Sequence, residues 1–320
     1  MSSDITVFSG SAHKAFAKEV CKLLGVELSP SRTTRFSNDC LQVQLRSNCR
    51  KKDVFIVQPL VPPVQENLVE LLLMLDAARG ASAGHITVVM PHYAYARSDK
   101  KDAPRISIGA RLVADLLHKA GAQRVVTMAL HSPQVHGMFE MPVDHLSANS
   151  VLAKHFRKRD LSNTIVVSPD FGNVKEASHL ARALNVPVAA GSKRRLADDR
   201  VVIDSIVGDV AGKDVIVLDD EIATAGSLVE LFDKLREIGV NSISAACIHG
   251  LFTGPAMERL AAQTDVREIV CTNTVPVPKS KRLPNMKVVS VAPLFAEAMR
   301  RITNGESISS LFSDEVTHGA

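Results

Sequence analysis

The chain has 320 residues, 46% of them hydrophobic, 22% charged and only 4% aromatic, with no tryptophan. That balance excludes a disordered chain and allows one large α/β domain or two of about 150 residues each. Lysine and arginine number 38 against 34 acids, a net charge of +4, which is too small an excess for a nucleic-acid footprint without a clustered basic stripe.

The longest basic runs, Arg50-Lys51-Lys52 and Lys193-Arg194-Arg195, are not interleaved with aromatics, so no nucleic-acid partner is expected. No apolar run approaches the roughly 18 residues of a membrane span, so no membrane partner is expected either. The cysteines, Cys21, Cys40, Cys49, Cys247 and Cys271, are odd in number and contain no CxxC pair. This usage points to a reducing compartment rather than a disulfide scaffold or zinc site. Asp4 directly precedes the first strand candidate and no signal peptide is visible, so a cytoplasmic protein is expected.

Val/Ile-rich runs read as strands at 5–9, 54–58, 86–90, 125–130, 165–168, 215–218, 243–248 and 269–272. Amphipathic stretches at 64–79, 107–120, 174–184, 227–238 and 254–262 read as the helices between them. A polar, basic loop at 279–284 and a terminal helix at 294–302 follow. Apolar strands alternating with helices imply βαβ units and mainly parallel sheets buried on both faces. The halves share a plan: Asp53-Val54-Phe55-Ile56-Val57-Gln58 and Asp214-Val215-Ile216-Val217-Leu218-Asp219 each lead through a loop into a long helix. The expected fold is α/β, two tandem doubly wound domains, residues 1–147 and 148–320, with the last helix free to pack back on the first. Ligands in such sheets bind beyond the carboxyl ends of the strands.

The segment Asp219-Asp220-Glu221-Ile222-Ala223-Thr224-Ala225-Gly226-Ser227 follows one such strand. Two carboxylates there suit vicinal sugar hydroxyls, and the small residues opening a helix suit an anion. An ordinary helix N-cap with acids complementing the dipole explains the same residues. Adjacent carboxylates repel, however, and need a cation or hydroxyl donors. Lys193-Arg194-Arg195 reads on composition as a solvated charge run in a polar loop.

The acidic segment resembles the phosphoribosyl diphosphate loop shared by type I phosphoribosyltransferases and ribose-phosphate diphosphokinases. Further segments resemble the diphosphokinases alone, in register from Phe8-Ser9-Gly10-Ser11-Ala12-His13 to Asn304-Gly305-Glu306-Ser307. The resemblance implies a type I phosphoribosyltransferase-like fold and transfer of the β,γ-diphosphoryl group of Mg-ATP to ribose 5-phosphate. It assigns the sugar phosphate to Asp219, Asp220, Ala223, Thr224, Ala225, Gly226 and Ser227. Magnesium (Mg2+) falls to His131 in Leu130-His131-Ser132 and Asp170 in Ser168-Pro169-Asp170. Lys193 and Arg195 match the catalytic cations. The nucleotide falls to Phe36, Asn38 and Cys40 on a loop reaching in from a neighbouring subunit, and to Arg97, Ser98 and His131. Self-association with a dimer as building block is implied with it.

Several positions depart from the family pattern. Asn38 and Cys40 stand where Asp and Glu are common, Ala129 where Asp is usual, and Asn173-Val174-Lys175-Glu176 where a Gly-x-Lys-Arg pattern occurs. Ala223, Ala225 and Ser227 replace Asp, Gly and Thr, and a positive φ at Ala225 would cost about 1 kcal/mol or more. His136 and His145 replace a Gln and an Asn of the family's regulatory site, where Ser307 and Ser309 match. Two other readings stand beside the diphosphokinase: a catalytically weak regulatory paralog and a type I phosphoribosyltransferase.

Overall fold

The computed structural model describes residues 5–197 and 200–311, with backbone alone at 193–197 and 200–202. The chain divides into two compact units. Unit 1 holds the residues up to Leu146, Thr274–Pro276 and the stretch from Ala292; unit 2 holds Ser147–Asn273 and Val277–Val291.

Unit 1 is built on five parallel strands in the order β1 (Ile5–Ser9), β4 (Asp53–Val57), β5 (His85–Met90), β6 (Arg124–Met128) and β7 (Val143–Leu146). Consecutive residues Val54 to Val57 are all buried, so both faces of the sheet are covered, as expected of parallel strands. Helices α2 (Val64–Gly80) and α3 (Gly109–Ala120) close one face, with Leu71, Met74, Leu75, Val113 and Leu117 packed on Val54, Ile56, Val88 and Val125. Helix α1 (Lys14–Leu24) packs on α8 (Ala292–Asn304), Phe16 meeting Phe295 edge-on at 5.4 Å between ring centroids. An antiparallel ribbon of β2 (Ser31–Arg35) and β3 (Leu41–Leu45) stands apart from the sheet.

Unit 2 contains α4 (Asn149–Phe156) and a seven-stranded sheet. In chain order its elements are β8 (Thr164–Ser168), α5 (Val174–Leu184), β9 (Val188–Ala197), β10 (Arg200–Val207), β11 (Asp214–Ile222), α6 (Gly226–Ile238), β12 (Ser242–Gly250), α7 (Ala256–Ala261), β13 (Val266–Thr272) and β14 (Met286–Val289). The spatial order is β10-β9-β8-β11-β12-β13-β14, parallel except for β9 with β10. The chain leaves β8 toward β9 on one side and returns through β11 on the other, so the order reverses between β8 and β11. That reversal point is where open α/β sheets bind ligands. Helix α6 is held by Leu228, Leu231, Phe232 and Leu235, one stripe at helical spacing, against Val215, Val217 and Ala245. It stops at Gly239, whose φ of 84° a side chain would strain.

Three expectations are corrected. The strand expected at 215–218 continues to Ile222, because β12 offers partners as far as Gly250. The strand expected at 125–130 stops at Met128, because Ala129 takes a left-handed backbone with φ of 47°. Lys193-Arg194-Arg195, read as loop, is strand: β9 runs through it, with Lys193 opposite Ile203 and Arg195 opposite Val201.

Candidate active site

Strand β11 pairs with β8 only as far as Val217, but with β12 as far as Ile222. Past Val217 one edge of β11 has no strand beside it, and there the sequence places Asp219 and Asp220, both half-buried. Asn173 takes over that edge. Its Nδ2 donates to the Leu218 carbonyl at 2.9 Å, and its own amide donates to Oδ1 of Asp170 at 3.2 Å. Asp170, Asp219 and Asp220 are thereby gathered at one sheet edge, tied through a residue the sequence had singled out only as a departure.

The loop 223–227 is shaped by what its carbonyls do. The Ile222 carbonyl accepts from the Phe252 amide at 3.1 Å, Ala223 from Thr253 at 2.8 Å, and Thr224 from Nη1 of Arg259 at 3.0 Å. Ala225 accepts from Val229 within α6 at 3.1 Å. In a trans peptide the N–H points opposite to the C=O. Each of these carbonyls is thereby engaged within the protein, and the N–H of the same peptide, from Ala223 to Gly226, points away from that carbonyl's partner. Gly226, Ser227 and Leu228 form the first turn of α6, where amides lack intrahelical acceptors and the helix presents positive potential. Ala225 has φ of 60° and ψ of 9°, so the condition set for it from sequence is met. A left-handed alanine costs about 1–2 kcal/mol.

The ribbon carrying Lys193 and Arg195 leaves the sheet beside this edge. Strand β9 pairs with β8 only from Val188 to Ala190, and beyond that with β10 alone. Gly191 sits at the departure, where an added Cβ would lie 2.7 Å from the Pro169 carbonyl. The close approach demands glycine and sets the ribbon's root against the Pro169-Asp170 turn. The side chains of Lys193 and Arg195 lie outside what is described.

In unit 1, Phe36, Asn38 and Cys40 form the tip between β2 and β3. The Phe36 amide donates to the Cys40 carbonyl at 2.9 Å, and Asn38 Oδ1 accepts the Cys40 amide at 3.2 Å. Asn38 thus spends its carbonyl on the turn itself, while Phe36 is 48% exposed. Arg35 at the ribbon's end pairs with Glu66 of α2 and with Asp39. Arg97 ends a helical turn, Ala94–Arg97, after β5. Ser98 Oγ accepts the Gly109 amide at 2.9 Å, which gives that hydroxyl a structural duty at the start of α3. His131 follows β6 and is exposed; its preceding residue, Leu130, donates its amide to Nε2 of His145 at 2.9 Å. Burial, helped by His136, pushes the His145 imidazole down to about 4. It is therefore neutral, with Nε2 as acceptor.

Sequence reasoning missed Glu70. It is 2% exposed on α2 and accepts from the Ser11 amide at 2.9 Å, Ser11 Oγ at 2.7 Å, Gln58 Nε2 at 2.7 Å and the Thr33 hydroxyl. One carboxylate thus ties the β1–α1 loop, the end of β4 and the β2–β3 ribbon together. The available signal was an acid on the buried stripe Asn67, Leu71, Met74 of an apolar helix. Arg259, on the short helix α7, carried no signal at all. Among the described residues no group of three or more His, Cys, Asp or Glu is placed to hold a metal ion.

Comparison with known proteins gives matches in both halves of the chain. Residues 5–121 match the family model for the N-terminal domain of ribose phosphate pyrophosphokinase, and residues 194–313 match that of the phosphoribosyl synthetase-associated domain. The ribose-phosphate pyrophosphokinase of Deinococcus radiodurans is 51% identical over 97% of this chain and 98% of its own. That of Clostridium acetobutylicum is 45% identical over 98% of both. The crystal structure of phosphoribosylpyrophosphate synthetase from Mycobacterium smegmatis superposes with a TM-score of 0.89 at 38% identity, covering 94% of this chain and 99% of that one. With two family models spanning its halves and near full-length relatives well above 30% identity, this chain belongs to the ribose-phosphate pyrophosphokinase family.

Proposed function

We propose that the chain makes phosphoribosyl diphosphate by attack of the ribose 5-phosphate C1 hydroxyl on the β-phosphorus of ATP. The O1–Pβ bond forms, the bridge between the α- and β-phosphates breaks with its oxygen leaving on AMP, and the hydroxyl proton is lost. Asp219 and Asp220 accept hydrogen bonds from the ribose hydroxyls. The amides of Thr224 to Ser227, with Ala223 behind them, hold the 5-phosphate. Lys193 and Arg195 neutralise charge on the transferring group, the main task in phosphoryl-type transfer. Phe36, Asn38, Cys40, Arg97, Ser98 and His131 are assigned to the nucleotide.

Magnesium fits Asp170: a carboxylate at a strand end is a hard ligand, and a cation that keeps waters and binds substrate phosphates needs no protein cage. His131 is assigned to magnesium as a nitrogen ligand. Bound there, magnesium would neutralise phosphate charge. A dimer is proposed as the building block. Phe36 at the ribbon tip, Val69 on α2 and Leu112 and Leu116 on α3 leave apolar surface for it. No helix among the described residues is long and apolar enough to cross a membrane.

The observation that carries the reading is the loop after two strand-end carboxylates, whose carbonyls from Ile222 to Ala225 are each engaged within the protein. Incubation with ATP, magnesium and ribose 5-phosphate is expected to release AMP and phosphoribosyl diphosphate in equal amounts. Folded protein that releases no AMP would support the weak paralog, for which Asn38's occupied carbonyl and Ala225's strain already speak. Turnover of phosphoribosyl diphosphate with a nucleobase would instead support a phosphoribosyltransferase.

A further inference from the structure

Three consecutive carbonyls at the entry to the phosphate loop, those of Ile222, Ala223 and Thr224, are held within the protein, two by backbone amides and one by a side chain. Phe252 and Thr253 supply the amides. The strand of donors ends there, because the chain turns at Gly254 and Pro255 into α7, and proline has no N–H. The third carbonyl, of Thr224, is met from within α7: Nη1 of Arg259 reaches it at 3.0 Å. The same nitrogen lies 3.1 Å from where a Cβ on Gly226 would sit, so the guanidinium backs the loop from Thr224 to Gly226.

That contact matters because of the residue it precedes. Ala225 is left-handed, a conformation disfavoured for alanine. Rotating the Thr224–Ala225 peptide would return Ala225 to an ordinary backbone. The rotation would also aim the Thr224 carbonyl toward the anion and take the Ala225 amide away from it. Loss of one amide and gain of one carbonyl facing a phosphate is unfavourable twice over. A donor gripping the Thr224 carbonyl opposes the rotation.

We propose that Arg259 is a positioning residue for the sugar 5-phosphate, latching the Thr224–Ala225 peptide so that its amide faces the anion. This rests on the reading of 223–227 as the phosphate cradle. Arg259 acts from the far side of the loop, through Thr224.

The test is a double-mutant cycle of Arg259→Met and Ala225→Gly, measuring the dissociation constant of ribose 5-phosphate by calorimetry and the KM of ATP by AMP release. Arg259→Met is expected to weaken ribose 5-phosphate about tenfold, the scale set by the left-handed preference, with the KM of ATP unchanged. In the Ala225→Gly background, where left-handed backbone is not disfavoured, the same change is expected to cost less than about threefold. Arg259→Lys, which keeps the charge and a donor on an exposed side chain, guards against a folding defect and is expected to fall between. Equal losses in both backgrounds would reduce Arg259 to a distant charge and overturn the latch, and no loss in either would overturn it outright. Wild-type protein that binds no ribose 5-phosphate would remove the cradle itself, a different failure.

Discussion

After β6 in unit 1 and after β11 in unit 2, the chain passes through an alanine with left-handed backbone, Ala129 at φ 47° and Ala225 at φ 60°. In the first loop two amides are claimed: Leu130 donates to His145 and Ala129 to the Leu146 carbonyl at 3.4 Å. In the second it is the carbonyls, taken by Phe252, Thr253 and Arg259. A loop whose amides are consumed can meet a ligand only through other groups, the role proposed for His131. A loop whose carbonyls are consumed presents amides, which suit an anion. On the function proposed above, the same local strain serves opposite ends in the two loops.

The largest effect expected along this line comes from the ribbon rooted beside the carbonyl-pinned loop. Lys193→Ala should lower kcat about a thousandfold or more with modest change in KM, because transition-state charge is what a cation there would stabilise. An AMP-release rate close to wild type would remove Lys193 from the mechanism.

The amide-claimed loop should be the acid-sensitive one. The unfolded imidazole of His145 takes a proton near 6.5 and the folded one only near 4. Between those values the unfolded chain binds more protons, so stability falls as pH falls from 6.5 toward 4, by at most about 3 kcal/mol. In His145→Asn, an amide oxygen can still accept from Leu130 but does not titrate. Its urea midpoint should fall less between pH 7 and pH 4.5 than that of the wild type. Parallel declines would show that other groups carry the acid response.

The smallest effects separate the two alanines. Glycine relieves left-handed strain of about 1–2 kcal/mol but brings about 0.5–1 kcal/mol of chain entropy. Ala225 is 5% exposed within the unit 2 core, so losing its methyl costs about another 0.8 kcal/mol. Ala225→Gly should therefore be near neutral in stability. Ala129, only half-buried, should gain about 0.5–1 kcal/mol as glycine. Thermal melts of the two variants would show whether burial separates them in this order.

The alternation of Val/Ile strands with amphipathic helices was legible because both faces of each sheet are buried, which leaves near-continuous apolar runs such as 54–57 and 215–218. What escaped lacks that signature. The ribbon Ser31–Arg35 and Leu41–Leu45 buries none of its residues fully, and β7 carries Asp144 and His145. The acids at 219–221 read as loop because nothing in sequence told that β12 would pair with them. At the candidate site the carboxylates, the small-residue loop and the strained Ala225 were readable, since their chemistry is local. Asn173, Arg259, Glu70 and His145 were not, because each acts on a backbone or loop 15 to 59 residues away in the chain.

The central claim is that backbone amides at the start of α6 hold the sugar phosphate, and it is open to direct observation. Protein labelled with [15N]glycine and titrated with ribose 5-phosphate should show the Gly226 amide among the most strongly shifted resonances, moving downfield in step with saturation. Saturable binding that leaves Gly226 unmoved would contradict the account.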